Sequence, residues 1–525
     1  MEPTVIDGNY ISPYNVNLRK MDTPIAILEE SKMETTFNVV TDYLRCLRGV
    51  TPEKLRPLTV HAAINGVLED PFTKRMSRSK SAGYAFPGSK MDHLYYVDEI
   101  NSMPREHLVD RIIEIIECYE RGESSMPIYK AALKDEPRTL EKCMTGKTRL
   151  FFISPIDQVI VARMFLFPFY TMMVERGDLF FTAIGINAHK DFDALYIKLT
   201  SFSSLFMEGD FRAFDFNLPY DIRRVAYAII VYIVKYLGYD ERAAKVVEGI
   251  LSDNLNVTIM CLKDLFMKSG LQPSGKLGTA EDNSFVQFVM FVYFYISTVD
   301  ADKYGSFFEN VLLLTYGDDS LVSVKKRVAH LVNNNTYRVF CRDMFKIEYT
   351  SPDKTDIMDD FTSIDKTSFL KRSFVHSSVL GRIMAPLDLD SMYKSLEWYI
   401  PSSFETPEQQ FFGTLNSFLI EAHIHVHERV KFDDLRNDII ELYKEKCGDL
   451  PQAFLSFDDL NEKFLCTSTE NEMTAQSLKA GHVSCYTPNN HDLGGFQPDF
   501  CRISHPKPEN SHRETTNGPS SCPLV

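Results

Sequence analysis

Nowhere in the sequence do two cysteines stand at C-x₂-C spacing; the ten cysteines are scattered over 525 residues. Neither a zinc site nor a disulfide framework is indicated. No secretory signal is visible, so the expectation is reduced thiols in the cytosol. Long hydrophobic runs are missing too. The two longest, residues 226–234 and 285–298, are too short or too interrupted to span a bilayer, so work at a membrane would need something else to carry the chain there. Tryptophan is reduced to Trp398 against 38 Phe and 25 Tyr. It lies in an apolar patch with Leu396 and Tyr399, where core packing is expected over base stacking.

Positive charge is not in excess either. A net charge of −15 excludes a protein that coats nucleic acid by bulk attraction, although an interior channel can be basic beneath an acidic exterior. The local tally fits such a channel. Residues 71–90 hold Lys74, Arg75, Arg78, Lys80 and Lys90 and no acid, and residues 130–149 hold six basic residues against three acidic ones.

What is present is a chain long enough for two to four subdomains, with an ordinary 44% apolar and 25% charged composition. Periodicity predicts helices over 106–120, 220–238 and 285–297, and C-terminal helices over 397–419 and 423–446. The runs 311–315 and 321–324 favour strands and flank Tyr316-Gly317-Asp318-Asp319, which makes a hairpin with an acidic tip. His423, His425 and His427 alternate on a predicted helix, where positions i and i+2 diverge, so a structural role is expected rather than a metal site. From about residue 470 the chain is rich in Asn, Ser, Pro, Thr and His, and a weakly ordered tail is expected.

Asp-Asp at a turn is ordinary turn chemistry. Its value here comes from its company. Asp210 follows the strand-like Ser204-Leu205-Phe206-Met207, and Asp215 lies just beyond. Carboxylates from separate strands are what two Mg²⁺ ions need to bridge a phosphoryl transfer. Between these acidic elements, Ser269-Gly270-Leu271-Gln272-Pro273-Ser274-Gly275-Lys276-Leu277-Gly278-Thr279 forms a flexible loop, followed by Asn283-Ser284. Asp215, Ser274 and Asn283 suit recognition of a 2′-hydroxyl, which is both donor and acceptor. Gly270-x₄-Gly275-Lys276 imitates a phosphate-binding loop, but Leu277 stands where the metal-holding hydroxyl belongs, so an NTPase is rejected. Upstream, Lys134, Arg138, Lys142, Lys147 and Arg149 supply cations for a triphosphate.

Together these segments resemble the polymerases of picornavirus-like positive-strand RNA viruses. Lys134 to Arg149 resembles their motif F, Asp210-x₄-Asp215 motif A, residues 269–284 motif B and Tyr316-Gly317-Asp318-Asp319 motif C. Pro352-Asp353-Lys354 resembles the end of motif D, Phe369-Leu370-Lys371-Arg372 motif E, and Ser81-Ala82-Gly83-Tyr84 motif G at the template entrance. The resemblance implies an α/β (α+β) closed right hand, with fingers over 1–195 and 226–268, palm over 196–225 and 269–378, thumb over 379–468 and the tail over 469–525. It implies RNA-templated RNA synthesis with two Mg²⁺ ions (Mn²⁺ able to substitute) held by Asp210, Asp318 and Asp319. Lys134, Arg138, Lys142, Lys147 and Arg149 would hold the nucleotide with Asp215, Ser274, Gly275, Thr279 and Asn283. Lys354 would be the general acid, and Ser81, Gly83, Tyr84, Lys371 and Arg372 would meet RNA. The implied partners are template and product RNA, ribonucleoside triphosphates, a small genome-linked protein primer and other viral replication proteins. The implied location is membrane-associated replication complexes in the host cytoplasm. Reverse transcription and a non-catalytic RNA-binding scaffold are the competing readings.

Overall fold

The computed structural model describes residues 3–465 except 7, 51–54, 69, 355–356, 402–404 and 427; the expected tail, and His427 of the histidine series, lie outside the described residues.

Among the described residues two four-stranded sheets frame the chain. The first runs in the order Val311–Tyr316, Asp319–Val324, Phe206–Phe211, Tyr349–Thr350, antiparallel throughout. The sequence VLLLTY is apolar at nearly every position and DSLVSV at Leu321, Val322 and Val324, and both strands are buried along nearly their whole length. Against Val311–Tyr316 packs the helix Thr279–Thr298, buried at every residue from Asp282 to Ile296. A helix that is hydrophobic all round belongs in a core. Its Phe285, Phe288, Phe291 and Phe294 are each at most 1% exposed, which at roughly 1.5–3 kcal/mol per buried large side chain makes this helix the main brace beneath the hairpin. A charge at Val289 would break that brace.

The second sheet runs Leu150–Ile153, Ile128–Leu133, Asn256–Cys261, Asp264–Ser269, with one parallel pair joining Ile128–Leu133 to Asn256–Cys261. It carries the Lys134–Arg149 segment at one end. A bridge from Ile153 to Gly275 joins it to the glycine-rich loop. The C-terminal helices Leu389–Glu397, Pro407–His425 and Arg429–Cys447 gather around a separate core that includes Phe412, Leu415, Phe418, Leu419 and Phe432.

Several expectations are corrected. The helices expected over 397–419 and 423–446 are displaced. Glu397 ends one helix, and the next starts at Pro407, where Thr406 and Gln409 form a capping box with Pro at the first turn; the last begins at Arg429. Trp398 is 59% exposed, beside exposed Tyr399 and Ile400, because it falls in the connection between helices and not on a buried face. The boundaries expected at 195/196 and 225/226 fall inside the helices Phe192–Phe202 and Tyr220–Leu237. His423 meets Asn461 Oδ1 at 3.0 Å while His425 meets the Leu387 carbonyl at 2.8 Å, so these two do not converge. No single helix among the described residues is long and apolar enough to cross a membrane; the bent pair Ile156–Phe165 and Phe167–Glu175, kinked by 54°, has the composition but is largely buried in the main core.

Candidate active site

In the hairpin Tyr316 pairs with Asp319, leaving Gly317 and Asp318 as the turn. Gly317 takes φ +67° while Asp318 does not turn left-handed, the pattern of a II′ turn with glycine first. The turn is held from below by the core helix: Ser284 Oγ accepts the Gly317 N–H at 2.8 Å, and Gln287 Nε2 donates to the Gly317 carbonyl at 2.9 Å. On the neighbouring strand Gly209 pairs with Ser320. Asp210 follows Gly209 on that strand as Asp319 precedes Ser320 on its neighbour, and Asp210, Asp318 and Asp319 lie close enough at this sheet end to repel one another.

Their electrostatics report the crowding. Asp318 and Asp319 are exposed, yet the protein around them withdraws both carboxyls from part of their water. That burial, then repulsion from Asp318 and Asp210, raises the Asp319 carboxyl to about 6. Asp318 is raised by burial and by Asp210, with Arg149 and Lys354 opposing. Lys354 Nζ contacts Asp210 Oδ2 at 2.9 Å. Lys354 closes a turn from Ser351 and is itself left-handed, at φ +60°.

Left-handed Ala213 opens the short helix Phe214–Asn217, which carries Asp215. Asn283 Nδ2 donates to Asp215 Oδ1 at 2.8 Å, and the Gln272 N–H donates to the Asp215 carbonyl at 2.7 Å, so the glycine-rich loop and the core helix both grip this residue. Asn283 is 5% exposed, and its Oδ1 has no partner among the described residues. Burial raises Asp215; the Asn283 bond opposes this, Asp318 adds to it, and Arg223 and Lys134 pull it back. Thr279 Oγ1 donates to the Pro273 carbonyl at 3.1 Å, closing the loop around half-buried Ser274. A side chain at Gly275 would run into the Phe152 carbonyl at 2.3 Å.

On the cation side, Arg149 Nε donates to Glu136 Oε1 at 2.6 Å, and Arg138 Nη2 lies 2.7 Å from the same oxygen. The Arg149 bond leads in holding the Glu136 carboxyl down at about 2. The Lys134 N–H bonds the Arg149 carbonyl at 2.9 Å, and the Lys147 N–H the Lys142 carbonyl at 2.8 Å, with Lys142 and Lys147 both exposed. Ser81 bridges to Ser89, and Gly83 at φ +94° lies where a Cβ would strike Pro155 Cα at 2.7 Å. Tyr84 lines a cavity of about 480 Å³ with Phe86 and Arg111.

Residues 8–433 match the family described as viral RNA-dependent RNA polymerase. The chain belongs to that family. It is 24% identical over 471 residues to the replicase polyprotein of Drosophila C virus, a match over 84% of this chain and 26% of that polyprotein. For the replicase polyprotein of Cricket paralysis virus the figures are 25% over 471 residues, 85% and 26%. For the genome polyprotein of Rice tungro spherical virus (strain Vt6) they are 27% over 459 residues, 81% and 13%. The chain thus spans about a quarter of the first curated relatives it matches. Its fold is that of the Sicinivirus 3Dpol RNA dependent RNA polymerase, with a TM-score of 0.70 at 21% identity over 87% of this chain and 90% of that one.

In this member of the family, the lysine that imitates a phosphate-binding loop has another use. Lys276 is 9% exposed and ion-paired to Asp282, which also accepts from Tyr170 at 2.6 Å and Tyr227 at 2.8 Å. Tyr227 links on to fully buried Arg223, whose guanidinium reaches Gln272 Oε1 at 2.8 Å and the Leu271 carbonyl at 2.8 Å. This network underpins the loop. Arg372, expected at RNA, has its guanidinium on Glu421 of the helix Pro407–His425, at 2.9 and 2.7 Å, and on the Ala385 carbonyl at 2.6 Å. Burial works to raise Glu421, but bonds from His189 and Arg372 win and hold it at about 2. Arg372 therefore sits as a clasp to the C-terminal helices, while Lys371 stays exposed. Sequence reasoning missed Lys20, which lies among Arg138, Arg212, Lys147 and Arg149; burial first and then those charges lower its ammonium. It also missed Arg223, whose only signal was a charge on the apolar side of a helix.

Proposed function

We propose that the chain adds ribonucleotides to a primer 3′-hydroxyl on an RNA template, replicating the genome of a picornavirus-like positive-strand virus. The observation that carries this is the convergence of Asp210, Asp318 and Asp319 at one sheet end, with the Asp215–Asn283 pair beside them.

An all-carboxylate donor set whose members repel one another fits a hard divalent cation, so Asp210, Asp318 and Asp319 would hold Mg²⁺, or Mn²⁺ in its place. Two such ions bound there would lower the pKa of the primer hydroxyl and neutralise the leaving pyrophosphate. The chain's own residues do the rest. Arg149 and Arg138, spread by Glu136 into fixed positions, present cations to the triphosphate with Lys134, Lys142 and Lys147. Asn283 Oδ1, a buried acceptor, receives the ribose 2′-hydroxyl, and Asp215 fixes that orientation by taking the amide N–H. Ser274, Gly275 and Thr279 shape the wall behind the nucleotide. Lys354, tethered at Asp210, holds the proton that departing pyrophosphate takes up. Ser81, Gly83 and Tyr84 guide the template, and Lys371 meets the primer strand.

In this reading the two sheets belong to palm and fingers and the C-terminal helices to a thumb. Priming by a small genome-linked protein, work alongside other viral replication proteins and a place at membrane-associated complexes in the host cytoplasm follow from the family resemblance. Incubation with an RNA template–primer, Mg²⁺ and either rNTPs or dNTPs tests the reading. Extension with rNTPs alone is expected; equal extension with dNTPs, or synthesis without template, overturns it.

A further inference from the structure

The turn Phe369–Arg372 is closed by two mutual bonds, Phe369 N–H to the Arg372 carbonyl at 2.9 Å and Arg372 N–H to the Phe369 carbonyl at 3.0 Å. Both central residues are left-handed, Leu370 at φ +56° and Lys371 at φ +59°. Such a turn favours Asn or Gly, and two side chains of this size hold it only if the surroundings impose it. Lys371 Nζ donates to Ser391 Oγ at 3.0 Å and Arg372 bridges to Leu387, and three further anchors hold the turn. The Lys371 carbonyl accepts the Asp388 N–H at 2.8 Å. Arg372 is clasped by Glu421. On the other flank, Glu208 Oε2 accepts the Ser368 N–H at 2.9 Å.

The first two anchors tie the turn to the C-terminal helices, which can move with a thumb. Glu208 alone of the three ties it to the strand of Asp210. Residues two apart on a strand share a face, so Glu208 and Asp210 project from the same side of Phe206–Phe211. No metal role is needed to explain a carboxylate there, because it has a backbone N–H to receive.

We propose that Glu208 is a positioning residue for the primer. Its bond to Ser368 sets the distance between the carboxylate site and Lys371, and so holds the primer 3′ end in register with Asp210. The inference rests on the proposed polymerase activity with Lys371 at the primer strand.

The test compares Glu208→Gln, whose amide oxygen still accepts the Ser368 N–H, with Glu208→Leu, which cannot, and Glu208→Asp, which falls short. Purified full-length protein is assayed for primer–template KM, for the half-life of the primed complex under a heparin trap, and for the elongation rate of complexes already primed. Glu208→Gln is expected to match the wild type. Glu208→Leu and Glu208→Asp are expected to raise the primer–template KM about 10-fold and to shorten the half-life by a similar factor, while the elongation rate and nucleotide KM stay within about 2-fold. A lowered elongation rate in all three variants with unchanged primer–template KM would place Glu208 in the metal site and overturn the proposal. Leu and Asp variants with wild-type KM and half-life would overturn it as well. Thermal unfolding of each variant separates loss of fold from loss of register, and the Asp variant serves if the Leu variant fails to fold. Failure of the parent reading looks different, since wild-type protein would then not extend the primer at all.

Discussion

Asn283 gives its amide N–H to Asp215 at 2.8 Å and keeps its carbonyl oxygen buried, with no partner among the described residues. The orientation is enforced: reversing the amide would set its oxygen against the Asp215 carboxylate. A buried acceptor with no donor costs roughly 1–3 kcal/mol, and a ligand hydroxyl recovers it. Asn283→Leu is therefore expected to lower the ratio of kcat/KM for rNTP over dNTP by about 10- to 100-fold, mostly by harming rNTP use. Single-nucleotide incorporation kinetics measure it; an unchanged ratio would remove Asn283 from ribose recognition.

Asp319 supports a pH prediction. Its folded carboxyl is raised to about 6 from an ordinary 3.8. Between those values the folded protein binds protons that the unfolded chain releases. Its contribution to stability is thus favourable at low pH and lost as pH rises through about 6. Mg²⁺ competes with those protons. The rise in Tm on adding Mg²⁺ should be several degrees at pH 7.5 and shrink markedly at pH 5.5, and Asp319→Asn should reduce that pH dependence. An equal Mg²⁺ effect at both pH values would contradict the carboxylate assignment.

The Arg372–Glu421 clasp has the opposite sign. Glu421 is held at about 2 against an ordinary 4.5, so its contribution is full above about 4.5 and fades as pH falls toward 2. Arg372→Ala leaves a mostly buried carboxylate without its guanidinium and should cost about 3–5 kcal/mol. Arg372→Ala with Glu421→Ala should cost less than the sum of the two single variants, by a coupling energy of roughly 1–3 kcal/mol in urea unfolding. Strict additivity would mean that the two side chains act independently.

The parts of this site legible in the sequence were those written locally. The hairpin could be read because apolar runs flank Tyr316-Gly317-Asp318-Asp319, although Asp319 proved to belong to the strand and only Gly317-Asp318 to the turn. Asp210 could be placed at a strand end for the same reason. What stayed hidden depends on partners far apart in the chain. Nothing near Arg372 announces Glu421, 49 residues away, and only the resemblance spoke for its place. Glu208 finds Ser368 160 residues on. Leu277 was enough to reject a phosphate-binding loop at Lys276, but its burial against Asp282, which also takes two tyrosine hydroxyls, could not be read locally. Trp398 misled because an apolar neighbourhood in sequence is not a buried face when the helix stops at Glu397.

The central claim is that the turn carboxylate acts in synthesis and not in RNA binding. Asp318→Ala lies on a wetted turn braced by Ser284 and Gln287 through the Gly317 backbone, so the fold should survive the change. Primer extension and template–primer affinity are measured on the same preparation. The account predicts extension reduced by at least about 1,000-fold, within the several kcal/mol that metal ligands supply to such transfers, with affinity for template–primer within about 3-fold of wild type. An Asp318→Ala protein that still extended the primer at a comparable rate would contradict it.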